Sequence, residues 1–228
     1  MGEWMIVFVD LEHDNQREDI EGGLRSMGRR LLVKYRLEVL SGHDCLVVRY
    51  DRVDPDFLKK RDIRCLFVSG SQTDLSDYDA ESLAGMKAVY RDGILPVMNF
   101  CGSFQLMAET FGVAIGPIGE DTDLHGHDGK FAGYCHEYGF CSVHVDADDP
   151  LFAGIGETAI VHQEHYWEAK SVPDGFRLTA SSDLCGVQAL AHASLPLYGT
   201  QFHPEYYDEA HTDGRRMIQN FLKLAGVT

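Results

Sequence analysis

At 228 residues, with 44% hydrophobic and 25% charged residues, the chain has the makeup of a folded domain rather than of a disordered or membrane-spanning polypeptide. Its 36 acidic residues against 20 basic ones give a formal charge of −16 with no Lys/Arg-rich tract, which argues against nucleic acid as a partner. Six cysteines without C-x-x-C spacing compose neither a zinc ribbon nor a disulfide framework.

The opening MGEWMIVFVDLEHD has a short apolar run, no basic flank and no small-residue cleavage site, so it reads as a first strand rather than a signal peptide. A cytoplasmic location is the expectation. A helical composition follows from about Asn15 to Glu38, and its RRLLVKYR segment reads as a solvated basic face or a contact for an acidic partner. DCLVVRY and RCLFVSG are the second and third strands, the latter ending at Gly70. After the polar loop SQTDLSDYD come a helix over AESLAGMKAVYRDG, a strand over ILPVMNF, and a helix over SFQLMAETFG with Gly112 as its C-cap.

Beyond Gly112 the chain is rich in Gly, Asp and His. FCSVHVD, TAIVHQEHYWEAK, FRLTASS, GVQALAHA and LYGTQFHP read as strands, and TDGRRMIQNFLKLAGV as a closing amphipathic helix. The prediction is one α/β domain over residues 1–228, with a mixed, largely parallel central sheet flanked by helices and a β-rich second half. His125 and His127 in DLHGHDGK, with His136 and His144 nearby, lack the spacing of a zinc motif and read as a polar loop, so no metal or cofactor is called for.

Cys101 falls at the junction of the fourth strand and the helix after it, where a parallel sheet displays residues to ligands. The first turn of a helix offers free N–H groups and a partial positive charge, which favour a thiolate and can hold an oxyanion. By itself such a cysteine is more often a packing residue. A nucleophile needs a base and the base an orienter, and LYGTQFHPEYYD supplies both: in an extended backbone His203 and Glu205 project to the same side, so the carboxylate can fix the imidazole tautomer.

With these residues assembled, the chain resembles the class I glutamine amidotransferase family. That family's nucleophile motif, G-x-C-x-G-x-Q, reads here Asn99-Phe100-Cys101-Gly102-Ser103-Phe104-Gln105, and its G-x-Q-F-H-P-E motif is matched by YGTQFHPE. The likeness covers nearly the whole chain and is strongest from Glu137 to Leu222, where it is similar to the glutaminase part of GMP synthase. It implies a flavodoxin-like fold and a Cys101–His203–Glu205 triad acting on glutamine through a γ-glutamyl thioester. It further implies an oxyanion site at Gly102, Gly70 and Ser71, Gln105 on the amino-acid end of the substrate, and a pocket lined by QEHYW, with Glu164, His165 and Tyr166. Ammonia would pass to a separate synthase subunit.

The chain departs from the family where Asn99 and Ser103 replace glycines of a tight elbow, where the third-strand loop is SGSQT, and where Glu164 stands in place of Ser or Asn. A carboxylate at Glu164 that faced the pocket would disfavour an anionic ligand and welcome an amine; one facing solvent would do neither. Two other readings stay open: a self-sufficient hydrolase of γ-glutamyl amines, and a non-catalytic regulatory relative.

Overall fold

The computed structural model describes residues 4–119 and 135–228, so the expectation for His125 and His127 lies outside the described residues. In chain order the larger elements are β1 (Met5–Asp10), α1 (Ile20–Ser41), β2 (Cys45–Arg49), α2 (Pro55–Lys59), β3 (Ile63–Val68), α3 (Ala80–Asp92), β4 (Val97–Phe100) and α4 (Gly102–Thr110). They continue with β5 (Ile115–Pro117), β6 (Glu137–Val145), β7 (Thr158–His165), β8 (Trp167–Ala169), β9 (Phe176–Ser181), β10 (Ala189–His192), β11 (Leu197–Thr200) and α5 (Asp213–Leu224). The main sheet has the order β2-β1-β3-β4-β11-β10-β9-β6-β7. Its first five strands pair in parallel and the rest antiparallel, the mixed α/β architecture expected.

The pleat accounts for the two layers. In β1, Val7 and Val9 face one way, into a core shared with Leu83, Met86 and Val89 of α3 and Phe104 of α4. Ile6 and Phe8 face the other way, into a core shared with Val33 and Leu37 of α1 and Phe221 of α5. A strand apolar at successive positions is thus covered on both faces. Phe67 of β3 meets Phe221 edge-to-face at 5.0 Å, an aromatic contact whose truncation to alanine costs about 3–5 kcal/mol.

Caps set the helix ends. Asp19 accepts a hydrogen bond from the Gly22 N–H at 2.7 Å to start α1, and Gly42 at φ 74° ends it. α3 runs between an Asp79 cap and Gly93 at φ 55°. α4 is capped by Phe111, one residue before the expected Gly112, which follows at φ 88°.

One expected strand divides. TAIVHQEHYWEAK breaks at Tyr166 into β7 and β8, and β8 pairs antiparallel with β5 in a separate two-stranded sheet. The His165 ring bonds the Trp167 carbonyl two residues on at 3.0 Å, a local closure that a continuous strand does not permit. Among the described residues no helix is long and apolar enough to cross a membrane.

Candidate active site

Cys101 stands at the carboxyl end of β4 with φ 49° and ψ −107°, and among the described residues it alone has positive φ without being glycine. Such a conformation costs about 1–3 kcal/mol and persists only where its surroundings over-determine it. Here they do: the Cys101 N–H donates to the Thr200 carbonyl at 2.8 Å, and the Gln105 N–H donates to the Cys101 carbonyl at 3.0 Å. The Phe100 N–H donates to Ser103 Oγ at 2.8 Å, and that hydroxyl lies 2.8 Å from the Val68 carbonyl. Ser103, in place of a motif glycine, therefore fits and fastens the turn.

Asn99 is accommodated differently. Its side chain is fully buried on the α3–α4 side of the sheet, where Oδ1 accepts from Tyr90 Oη at 2.7 Å and Nδ2 donates to the Tyr198 carbonyl at 3.0 Å. Gly199 is its register partner on β11, and a Cβ added there would come within 2.8 Å of Phe104 and 3.4 Å of Asn99 Cβ. The room that the motif glycine would leave at residue 99 is provided instead by the glycine of the adjacent strand.

The loop after β3 closes over the elbow. A Cβ on Gly102 would sit 2.9 Å from the Ser71 nitrogen, so the two backbones can approach only because Gly102 has no side chain. The Ser71 hydroxyl turns away, 3.0 Å from Glu12 Oε1, and the Gln72 N–H donates to the same oxygen at 2.9 Å. Among the described residues no acceptor takes the Ser71 or Gly102 N–H, which leaves two donors side by side next to Cys101. Gly70 is held just as closely: a Cβ there would lie 2.9 Å from His203 Cε1 and 3.2 Å from Cys101 Cβ.

His203 and Glu205 come together by a different backbone from the extended one expected. Pro204–Tyr206 form a short 3-10 turn, and the turn folds Glu205 back so that its Oε1 lies 2.7 Å from His203 Nδ1. The ring and Cys101 line the same small pocket, on either side of Gly70. Burial opposes charge on this ring, but the Glu205 carboxylate and the Cys101 sulfur together hold its pKa well above the usual 6.5. The Tyr206 ring stacks on His203 at 4.8 Å, and Arg36 of α1 donates to the Glu205 carbonyl at 2.6 Å.

The remaining expected residues divide. Gln105 Nε2 donates to the Trp167 carbonyl and to Gln201 Oε1, both at 3.1 Å, and Gln201 Nε2 reaches Cys101 Sγ at 3.5 Å. Glu164 faces the cleft rather than solvent: its carbonyl is 3.9 Å from Cys101 Sγ, and its carboxylate meets Gln72 Nε2 at 3.3 Å and Arg29 of α1 at 3.6 Å. Its charge is therefore matched by a cation. Tyr166 Oη donates to Asp74 at 2.7 Å, a second link from the β7 end to the loop after β3.

His165 is brought beside the cleft but its ring is committed elsewhere, with Nε2 3.0 Å from Glu137 Oε2. Glu137, His165 and Cys185 place three ligand atoms within 4.8 Å of one another, a buried trio that the sequence reading did not find. Ser182 and Gln188 donate to Glu137, the Cys185 thiol bonds the Val187 carbonyl, and burial pushes that thiol upward, so the trio is bound up in hydrogen bonds that position the end of β7.

Sequence reasoning also missed Gln201, although it lies within YGTQFHPE, and it missed Arg29, Arg30, Glu12 and Gln72. Arg30 is buried, bonding Asp10 at 2.8 Å, Glu12 at 3.3 Å and the Gly70 carbonyl at 3.2 Å. Burial opposes ionisation of Asp10, but Arg30 and Arg17 outweigh it and lower the carboxyl pKa. A helical arginine that reads as surface charge thus braces the loop beside Cys101. The space left next to Cys101 is about 20 Å³, and it adjoins a hollow of about 250 Å³ with which it shares Glu12, Arg29, Arg30 and Gln72.

A cysteine at a strained strand-to-helix turn, a buried histidine–glutamate pair and paired backbone donors thus meet at the carboxyl end of the parallel strands of a mixed α/β sheet. Residues 30–225 match the glutamine amidotransferase class-I family, and the chain belongs to it. It is 34% identical to a subunit of the glutamine-hydrolysing GMP synthase of Methanocaldococcus jannaschii over 133 residues, 58% of this chain and 61% of that protein. With the corresponding GMP synthase protein of Pyrococcus furiosus it shares 33% identity over 138 residues, 60% of this chain and 64% of the relative. The chain thus spans about three fifths of the length of these relatives. Among solved structures, a provisionally assigned GMP synthase subunit from Thermoplasma acidophilum superposes with a TM-score of 0.74 at 24% identity, covering 99% of this chain and 96% of that one.

Proposed function

We propose that the protein hydrolyses the side-chain amide of glutamine through a Cys101 thioester and delivers the ammonia to a separate synthase subunit. Cys101 passes its thiol proton to His203 as Sγ attacks the amide carbon, and the N–H groups of Gly102 and Ser71 receive the oxyanion. His203, held by Glu205, gives its proton to the departing ammonia as the C–N bond breaks. The neutral ring then takes a proton from water, whose oxygen attacks the thioester; as the C–S bond breaks, glutamate leaves and the ring returns the proton to the sulfur. The whole of 1–228 acts as one domain in this reading.

The observation that carries the proposal is the buried His203–Glu205 pair lining one pocket with Cys101, the one strained non-glycine residue described. The relatives' names, which describe subunits of a glutamine-hydrolysing GMP synthase, support glutamine as donor and a synthase as acceptor. Incubation with glutamine tests it: equal amounts of glutamate and ammonia form with the parent protein, alone or beside a synthase partner, and none with Cys101→Ala. Glutamate formed equally by Cys101→Ala contradicts the proposal.

A second reading, hydrolysis of a γ-glutamyl amine, is favoured by the hollow of about 250 Å³ adjoining the Cys101 pocket, which gives room for a leaving group larger than ammonia. The same assay with γ-glutamyl alkylamines separates the two, since a glutaminase strongly prefers glutamine.

A further inference from the structure

α1 is apolar on two faces. One packs Val33 and Leu37 into the core; the other carries Ile20, Leu24, Met27, Leu31, Tyr35 and Val39 into solvent, Ile20 at 83% and Val39 at 80% exposure. These residues, with the exposed Leu32, compose two adjoining i, i+4 ridges: Ile20–Leu24–Gly28–Leu32 and Met27–Leu31–Tyr35–Val39. At roughly 200 Å² for a fully exposed large side chain, they present on the order of 800 Å², more than a monomer ordinarily leaves as one patch and the share that one partner gives to a standard interface.

The order of the ridges is matched by a second copy of the same helix. Read from either end about the midpoint between Arg29 and Arg30, the apolar positions coincide: residue 20 with 39, 24 with 35, 27 with 32 and 28 with 31. An antiparallel second copy of α1 therefore sets Ile20 level with Val39 of the second copy, Leu24 with its Tyr35, and Leu31 with its Gly28. Gly28 has nothing within 4 Å of a built Cβ, so the central crossing has space for the opposing leucine. Flanking charge does not oppose the approach, because Arg25 is paired with Glu21 at 2.9 Å, Lys34 with Glu38 at 2.5 Å and Arg29 with Glu164. An acidic partner would find these cations already matched.

We infer that the protein is a two-fold dimer in which the exposed ridges of α1 pack against the same ridges of a second copy, crossing at about −50° as i, i+4 ridges do. The interface lies on the back of the helix that holds the catalytic apparatus, since Arg30 bonds the Gly70 carbonyl and Arg36 the Glu205 carbonyl. The dimer is independent of which amide the site cleaves.

The test is the mass of the full chain in solution, by light scattering and sedimentation at concentrations up to roughly 100 µM. The parent is expected to be dimeric, and Leu24→Glu/Tyr35→Glu monomeric with unchanged circular dichroism. Ile20→Arg/Val39→Arg, at the two most exposed positions, serves as a second variant should the first not fold, and is likewise expected to be monomeric. A monomeric parent, or a folded variant that remains dimeric, overturns the inference.

Discussion

Asn99 and Tyr90 meet beneath the Cys101 elbow, with Tyr90 Oη donating to Asn99 Oδ1 at 2.7 Å in a fully buried contact. An asparagine replaces a family glycine here because α3 supplies it with a donor and β11 supplies it with room. Tyr90→Phe leaves the Asn99 oxygen buried and unpaired, and should lower stability by about 1–3 kcal/mol. A urea midpoint unchanged from that of the parent would refute this explanation.

Ser103 makes the opposite prediction from the one its motif position implies. Restoring the family glycine with Ser103→Gly removes the acceptor for the Phe100 N–H and the bond to the Val68 carbonyl. The variant should be less stable by about 1–2 kcal/mol, and its Cys101 should react faster with a small generic alkylator as the turn loosens. Both are read on one preparation, by denaturation and by timed alkylation.

The strands of the first half and the positions of Cys101, His203 and Glu205 were legible because each depends on local pattern: short apolar runs, a strand-to-helix junction, and the spacing within HPE. Gln201, Arg29 and Arg30 were not, because their roles arise from packing distant segments together. Arg30 reaches Gly70 across 40 residues, and nothing near Arg30 in the sequence marks it as part of the site. Expecting an extended HPE segment gave the right pairing by the wrong backbone, since Pro204 initiates a turn there. The division of β7 from β8 was hidden for the same reason, depending on side-chain contacts of His165 rather than on periodicity.

Glu164 and Arg29 form a pair whose members should be unequal on removal. Arg29→Ala leaves the Glu164 carboxylate uncompensated beside the thiol and should raise KM for glutamine about tenfold, equivalent to about 1.4 kcal/mol. Glu164→Gln keeps the contact with Gln72 without the charge and should change KM little. In the double variant most of the loss should be recovered; additive effects in steady-state assays would mean that the pair is not coupled.

His203 ties stability to pH. Its folded pKa is raised, so its contribution is complete below the ordinary value of 6.5 and is lost as pH rises through the folded value above it. Glu205→Gln removes the main group that raises it, leaving burial to favour the neutral ring. The stability gap between parent and variant should therefore be widest below pH 6.5 and should shrink as pH rises above it. Urea titrations across that range check the sign, and a gap that widens with pH would reverse it.

The central claim is that Cys101 is a nucleophile toward glutamine, and its most direct test is the intact mass after incubation with a diazo-ketone analogue of glutamine. The parent should gain a single adduct, which excess glutamine blocks and Cys101→Ala abolishes. An adduct of the same mass on Cys101→Ala, or no adduct on a parent whose Cys101 a generic reagent still alkylates, would contradict it.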